Sequence, residues 1–225
     1  MVKREIMTTA DGSTTIHLPD WNEQYHSKHG AIQEAYHVFI KMGLSHIPIT
    51  TNALHILEIG FGTGLNALIT CLEAKNQNRK IDYCGVEGYP VSQEEVSQLN
   101  YATALDHASA EAYFQTIHAG KWEEKFSIHE NFQLIKEEKM FDKIENKNEF
   151  HLIYFDAFGA RVQPELWEVS IFKKMYEALK NQGVLVTYSA KGSVRRAMQD
   201  VGFTVERLEG PPGKREMLRA TKNNL

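Results

Sequence analysis

The segment His55–Leu68, HILEIGFGTGLNAL, constrains the fold more than any other stretch. An apolar run ends at Glu58, glycines stand at 60, 62 and 64, and a helical pattern begins at Leu65. The segment reads as strand, tight turn and helix start. Glycines at such a turn admit positive φ and let a ligand approach the backbone closely. The N–H groups of the first helical turn then face whatever occupies the bend. The expected ligand is a nucleotide-like molecule.

The rest of the chain alternates in the way such a turn requires. Strands are expected at His55–Gly60, Ile81–Glu87, Phe132–Glu137, Phe150–Phe155, Gly183–Ser189, Phe203–Leu208 and Arg215–Thr221. Helical patterns cover Gly30–Lys41, Leu65–Lys75, Val91–Asn100, Leu105 to about Phe126, Leu166–Lys180 and Ser193–Val201. HILEI, HLIYF and GVLVTY are nearly continuous apolar runs, which suits strands covered on both faces. The expected fold is therefore α/β, a doubly wound Rossmann-like sheet. FTVERLEG, PPGK and REMLRATK read as strand, turn, strand, so the sheet should end in an antiparallel hairpin. That ending is typical of S-adenosylmethionine (SAM) methyltransferases, whereas a plain dinucleotide dehydrogenase keeps its strands parallel. Asp11-Gly12 between β-prone runs predicts a small N-terminal β-hairpin extension. One domain over 1–225 is expected, with residues 1–29 as the extension and 105–126 as a helical insertion containing Trp122.

Composition narrows the class. The 225 residues are 42% hydrophobic and 24% charged, ordinary for a globular domain with a full core. No apolar run approaches the roughly 18 residues of a membrane span, and the first residues lack the apolar core of a secretory signal. A cytoplasmic protein without membrane contact is expected. Cys71 and Cys84 lack CxxC partners and read as buried thiols, with no metal site. The net charge of −4 argues against a dedicated nucleic-acid-binding module, though one local basic patch suffices for an enzyme that meets RNA.

The glycine turn alone admits two ligands. Gly62-Thr63-Gly64-Leu65-Asn66-Ala67 matches the dinucleotide pattern G-x-G-x-x-A. Glu58 extends it to E-x-G-x-G-x-G, as in the first motif of SAM methyltransferases. A carboxylate there can hold a methionine ammonium, and beside a pyrophosphate it would add repulsion. Glu87, ending the next strand, suits a ribose diol in either case. The bland alternatives are an ordinary tight turn and two solvated strand-end carboxylates. Asp156 ends HLIYFD and should lie in the crevice where such sheets bind ligands, with Phe158 placed to stack on a planar ring. Trp167 reads as core, heading the helical spacing of Leu166, Val169, Phe172, Met175 and Leu179.

Here a resemblance becomes specific. DAF with QPELW nearby, then GVLVTYSAKGSVRRAMQDVGFTVERLEGPPGKREML, resembles the MnmC-like methyltransferases that finish 5-methylaminomethyl-2-thiouridine at the tRNA wobble position. LEIGFGTGLNAL and YHSKHGAIQEAYHVFI match as well, so the likeness runs from about Asp11 to Lys222. It implies SAM as cofactor, tRNA as partner, and methyl transfer to the amine of 5-aminomethyl-2-thiouridine. The implied cofactor residues are Glu58, Gly60, Phe61, Gly62, Gly64, Asn66, Glu87 and Asp156. Asp156 would be catalytic, orienting the amine through an N–H hydrogen bond. Either Glu138 or Asp142 would meet the adenine amine. The family loop usually carries Ala/Ser-Pro where this chain has Gly159-Ala160. The chain stops after the methyltransferase part and so resembles the stand-alone form, without the fused flavin-dependent oxidase.

Substrate contacts are expected from Tyr25, His26 and Phe158 and from a basic rim of Lys191, Arg195, Arg196, Lys214 and Arg215, with Arg219 nearby. By spacing alone these cations read as a solvated helix face and a charged hairpin; the resemblance tips them toward RNA. The resemblance implies that the segment Tyr25–Glu34 caps the pocket. Alternatives are a small-molecule SAM methyltransferase, an NAD(P) oxidoreductase, and a catalytically silent SAM-fold partner protein. The intact Glu58, glycines, Glu87 and Asp156 weigh against the last.

Overall fold

The computed structural model describes residues 3–49 and 52–223. Two antiparallel strands, β1 (Glu5–Thr8) and β2 (Thr14–Leu18), pair around Asp11-Gly12, and the two-residue β3 (Glu23–Gln24) adds to β2. The main sheet contains β4 (Leu54–Ile59), β5 (Ile81–Glu87), β6 (Phe126–His129), β7 (Phe132–Glu138), β8 (Phe150–Phe155), β9 (Leu179–Thr187), β10 (Phe203–Glu209) and β11 (Glu216–Lys222). Their order is β10-β11-β9-β8-β4-β5-β7-β6. The five central strands are parallel; β6 and β11 each run against their inner neighbour, and β10 runs against β11.

The helices are α1 (Ala31–Ala35), α2 (Leu65–Asn76), α3 (Gln93–Val96), α4 (Tyr101–Ala104), α5 (Ala110–Ala119), α6 (Val169–Ala178) and α7 (Gly192–Asp200). α1 continues as a wider π-helix over Tyr36–Lys41, which completes the expected helical run.

Alternation along the central strands explains their apolar runs. Ile56, Tyr83, Leu152, Tyr154 and Val184 face a core shared with α2, α5 and the π-helix. Leu57, Cys84, Ile153, Phe155 and Leu185 face one shared with α6 and α7. With both faces covered, the middles of these strands favour apolar side chains, and a polar group there needs a partner. Cys71 and Cys84 are buried free thiols. Among the described residues no helix is long and apolar enough to cross a membrane.

Three expectations need correction. The helix expected over Val91–Asn100 is broken into α3 and α4. Ser92 and Glu95 form a capping box that starts α3. Four residues after α3 ends at Val96, Asn100 is committed elsewhere: its amide donates to the Gly12 carbonyl at 2.9 Å and accepts from Thr14 N–H at 2.7 Å. The continuous helix expected over Leu105–Phe126 is only α5, followed by a turn and the unforeseen edge strand β6. That strand is four residues, three half-exposed and Ser127 exposed, with an irregular register, too short to stand out by periodicity. None of residues 105–126 lines the main cavity, and α5 packs on α2. Finally, β9 begins at Leu179, where the sequence suggested helix until Lys180. α6 ends there, and Gln182 takes φ 61° before Gly183 resumes the ladder.

Strand direction places the turn between β10 and β11. Since β10 runs with β9, its C-terminal end lies at the same edge as the ends of β4, β5 and β8. Residues 210–215 therefore arrive at the edge where the parallel strands finish.

Candidate active site

The ends of β4, β5, β7, β8 and β9 open into a cavity of about 1650 Å³. On one side stands the glycine turn, where Gly60, Gly62 and Gly64 have φ of 87°, 50° and 74°. Gly60 has no room for a side chain, since a Cβ would lie 2.6 Å from the Asp156 carbonyl oxygen. That contact lets the ends of β4 and β8 meet, and Asp156 N–H bonds the Ile59 carbonyl at 2.9 Å. Gly60 and Phe61 both donate to the Val86 carbonyl at 3.0 Å. Phe61 is 3% exposed, and its ring lies against Gly85, where a Cβ would be 2.2 Å from it.

Asn66, in the first turn of α2, joins two carboxylates with one amide. Its Nδ2 donates to Glu58 Oε1 at 2.9 Å and to Asp156 Oδ2 at 2.9 Å. Glu58 is wholly buried, and its other oxygen accepts from the Tyr83 hydroxyl at 2.8 Å. Burial pushes its pKa well up, against the pull of those two hydrogen bonds. Glu58 does not line the cavity; Asn66 and Asp156 do. The Asn66 Oδ1, buried, has no hydrogen-bond partner among the described residues.

Asp156 has its pKa raised to about 7, chiefly by desolvation and next by the Glu34 carboxylate, while Asn66 and Lys214 act the other way. The loop after it needs no proline. Trp167 Nε1 donates to the Phe158 carbonyl at 2.7 Å and the Tyr188 hydroxyl to the Ala157 carbonyl at 2.8 Å. Trp167 is buried as expected, though in a short 3-10 turn ahead of α6. Glu87 lines the cavity at the end of β5. Its Oε2 accepts from Gly62 N–H at 3.0 Å and its Oε1 from Tyr89 N–H at 2.9 Å. Glu138 and Asp142 both lie along the cavity beyond it.

The opposite side is a mosaic. Tyr25 packs edge-on to Phe158 with centroids 5.0 Å apart, and Trp21 does the same at 5.9 Å. His26 touches Thr15 Oγ1 at 3.0 Å and Thr63 Oγ1 at 3.5 Å, tying the N-terminal sheet to the glycine turn. Desolvation lowers its pKa to about 4, so it is neutral. Arg4 donates to the Tyr89 carbonyl at 3.0 Å and to Glu95 at 3.2 Å, which pins the same sheet on its other flank. Along the whole wall acidic side chains outnumber lysine and arginine.

The expected basic rim divides. Lys191 and Arg196 are exposed and Arg195 half-buried around the start of α7, outside the cavity lining; Arg215 is exposed beside the hairpin turn. Lys214 turns inward to an ion pair with Glu34. Arg219 lies within β11, bonded to Glu206 at 3.0 Å and to the Met42 carbonyl. Neither is a free cation on the rim. Sequence reasoning missed Arg4, Trp21 and Tyr188. Tyr188 directly follows β9, so the rule that placed Asp156 at a strand end applied to it too. Nothing local marks Arg4.

Comparisons with known proteins agree with this geometry. Residues 107–223 match the model of a family described as S-adenosyl-L-methionine-dependent methyltransferase. The bifunctional protein MnmC of tRNA 5-methylaminomethyl-2-thiouridine biosynthesis from Polaromonas naphthalenivorans is 28% identical over 223 residues. The match covers 94% of this chain and 34% of that protein. The chain thus spans about a third of the length of the curated relatives it matches. The crystal structure of MNMC2 from Aquifex aeolicus superposes with a TM-score of 0.80 at 23% identity, over 100% of this chain and 72% of that one. Spermidine synthase from Thermotoga maritima shares the fold at a TM-score of 0.53 and 15% identity, over 94% and 69% of the two chains. The chain belongs to the S-adenosyl-L-methionine-dependent methyltransferase family whose model it matches.

Proposed function

We propose that this protein transfers a methyl group from SAM to the primary amine of 5-aminomethyl-2-thiouridine at the tRNA wobble position. The observation that carries the reading is the Asp156 carboxylate, hydrogen-bonded to Asn66 in a cavity of about 1650 Å³. Pockets for one small ligand run to roughly 300–1000 Å³, so this one has room for a cofactor and an inserted nucleoside. The substrate itself comes from the relatives, which are named for that modified uridine.

The residues fit SAM. The unpartnered, buried Asn66 Oδ1 needs a donor, and a methionine ammonium is one. Glu58 then acts through Asn66, holding its amide rather than touching the cofactor. Gly60, Phe61 and Gly62 form the cradle, while Gly64, outside the cavity lining, closes the turn against His118 and Ile117; Glu87 suits the ribose diol, and Glu138 or Asp142 the adenine amine. A pyrophosphate fits poorly, because Gly62 N–H is already given to Glu87 and the neighbouring carboxylates repel it. The acidic wall favours cationic ligands.

When bound, the cofactor supplies a methyl group on a sulfonium, already a good leaving group. The protein's task is alignment. Asp156 accepts an N–H bond from the amine and aims its lone pair. Desolvation within the cavity disfavours the ammonium form of the amine. With its pKa near 7, Asp156 can also take the proton that N-methylation releases. Tyr25 and Phe158 supply an aromatic corner for the base. Lys191, Arg195, Arg196 and Arg215 meet the RNA backbone outside the cavity, and the work is done in the cytoplasm.

Asp156→Ala is expected to lower single-turnover methyl transfer by roughly 100-fold or more, while SAM affinity by calorimetry falls far less. Equal losses would refute that division. The substrate is tested by incubating the protein with SAM and tRNA from a strain lacking the final wobble modification, followed by nucleoside mass spectrometry. Methylation of small amines but not of that tRNA would favour the second reading, a small-molecule methyltransferase, which the net charge of −4 and the acidic wall also suit.

A further inference from the structure

The turn between β10 and β11 inserts one cation into a largely acidic wall. Lys214 is ion-paired with Glu34, 180 positions away in the chain, and its ammonium lies 3.8 Å from the centroid of the Tyr188 ring. Glu34 is 7% exposed, and its other oxygen accepts from Ser27 N–H at 2.8 Å. The turn that carries Lys214 is locked. Gly213 has φ 82°, a Cβ there would be 2.3 Å from the His29 ring, and Lys214 N–H closes on the Pro211 carbonyl at 2.9 Å. Glu34, Tyr188, Lys214 and Asp156 all line the same cavity.

A lysine tied to an acid, an aromatic face and a rigid turn loses the freedom an RNA-backbone contact would exploit. Its position has a different consequence. Glu34 is a buried carboxylate whose charge opposes the ionisation of Asp156, and Lys214 favours it. Around Asp156, Asn66 of α2 donates to its carboxylate, and the Asp156 charge in turn raises the pKa values of Glu58 in β4, Tyr83 in β5 and Tyr188 after β9. Glu58 is fixed by its two hydrogen bonds, and the tyrosines carry no charge near neutrality. The balance that a single substitution can tip is therefore the one between Glu34 and Lys214.

We propose that Lys214 and Glu34 form a charge-setting clamp, in which Lys214 cancels Glu34 and leaves Asp156 free to ionise and to receive the substrate amine. Both are positioning residues, acting through Asp156. The inference rests on the methyl-transfer reading for its purpose, but the clamp itself is a property of the folded chain. A mere structural tie between α1 and the hairpin would hold the wall together without governing Asp156.

The experiment titrates the full-length protein carrying 13C-carboxyl aspartate by NMR, with the Asp156 signal assigned by its loss in Asp156→Asn. Lys214→Met is expected to move the Asp156 midpoint up by roughly 1 pH unit. Glu34→Gln should move it down, Glu34→Gln/Lys214→Met should return it toward the wild-type value, and Lys214→Arg should leave it nearly unchanged. The acid limb of kcat/KM for the tRNA should move in the same directions. Midpoints that stay put in both single variants, or that move the same way in both, overturn the clamp. A variant that unfolds, seen in its amide spectrum, is replaced by Lys214→Gln. If the midpoints move as expected but no tRNA amine is methylated, the clamp stands and the substrate reading fails.

Discussion

The glycine-turn wall and the mosaic wall face each other across one cavity, yet they are assembled differently. Residues 58–66 supply most of the first, with Glu87 and Asp156 added by hydrogen-bonded neighbours in the same sheet. The second joins residues 21–34, Phe158, Tyr188 and Lys214, brought together by packing and a few polar ties. The first wall is stiff because backbone hydrogen bonds and glycine φ values fix it. The second depends on side chains at long sequence separation, so its parts can be loosened one at a time. A cofactor common to many enzymes belongs on the first kind of surface; a substrate particular to one belongs on the second.

Substitutions can break or sharpen this contrast. The largest effect is expected from Gly60→Ala. The added methyl meets the Asp156 carbonyl at a residue with φ 87°, so stability should fall by roughly 3 kcal/mol or more, read by urea unfolding. A small loss there would mean the stiff wall has slack. Asp156→Asn, where the walls meet, should instead stabilise. The carboxyl's folded pKa, about 7, lies above its ordinary value of 3.8. Wild-type stability is therefore lost as pH rises through 7, and the amide escapes that loss. At pH 8 the variant should gain roughly 2–3 kcal/mol, with the gain gone below about pH 4.

His26 tests the link between the walls, with the opposite pH sign. Its folded pKa of about 4 lies below 6.5, so stability is present above 6.5 and lost as pH falls toward 4. His26→Asn should flatten that acid slope, worth roughly 1–2 kcal/mol after allowing for solvent, read by thermal melts from pH 4 to 7. The smallest effect belongs to Arg161, more than half exposed, which donates to the Trp21 and Asn22 carbonyls and pairs with Glu23 at 3.3 Å. Arg161→Ala should cost below about 1 kcal/mol. A larger loss would show that the mosaic wall is more cooperative than its contacts indicate.

The same contrast explains what could be read from sequence. The stiff wall is local: the strand, the three glycines and the strand-end acids follow from periodicity and spacing, and Asn66 from the family resemblance. Glu58 shows the limit of that reading. Its place in the motif was legible, but its burial beneath Asn66 depends on Tyr83, 25 residues away in the next strand. Lys214 shows it more sharply. In the sequence it is one cation in GPPGKRE, indistinguishable from Arg215 beside it. Only the partner at position 34, set by how α1 meets the hairpin, turns one inward and leaves the other outside. β6 was missed for a third reason: four edge residues bury too little to impose a pattern.

The reversal of the final strand has a consequence for how the cavity is furnished. In a sheet whose members all point one way, each strand delivers to the upper rim only the residues that follow it. Because β11 descends, it delivers the residues that precede it, and a single short bend serves two strands at once. A last strand of the opposite sense would have left that bend at the floor of the molecule, and Lys214 with it.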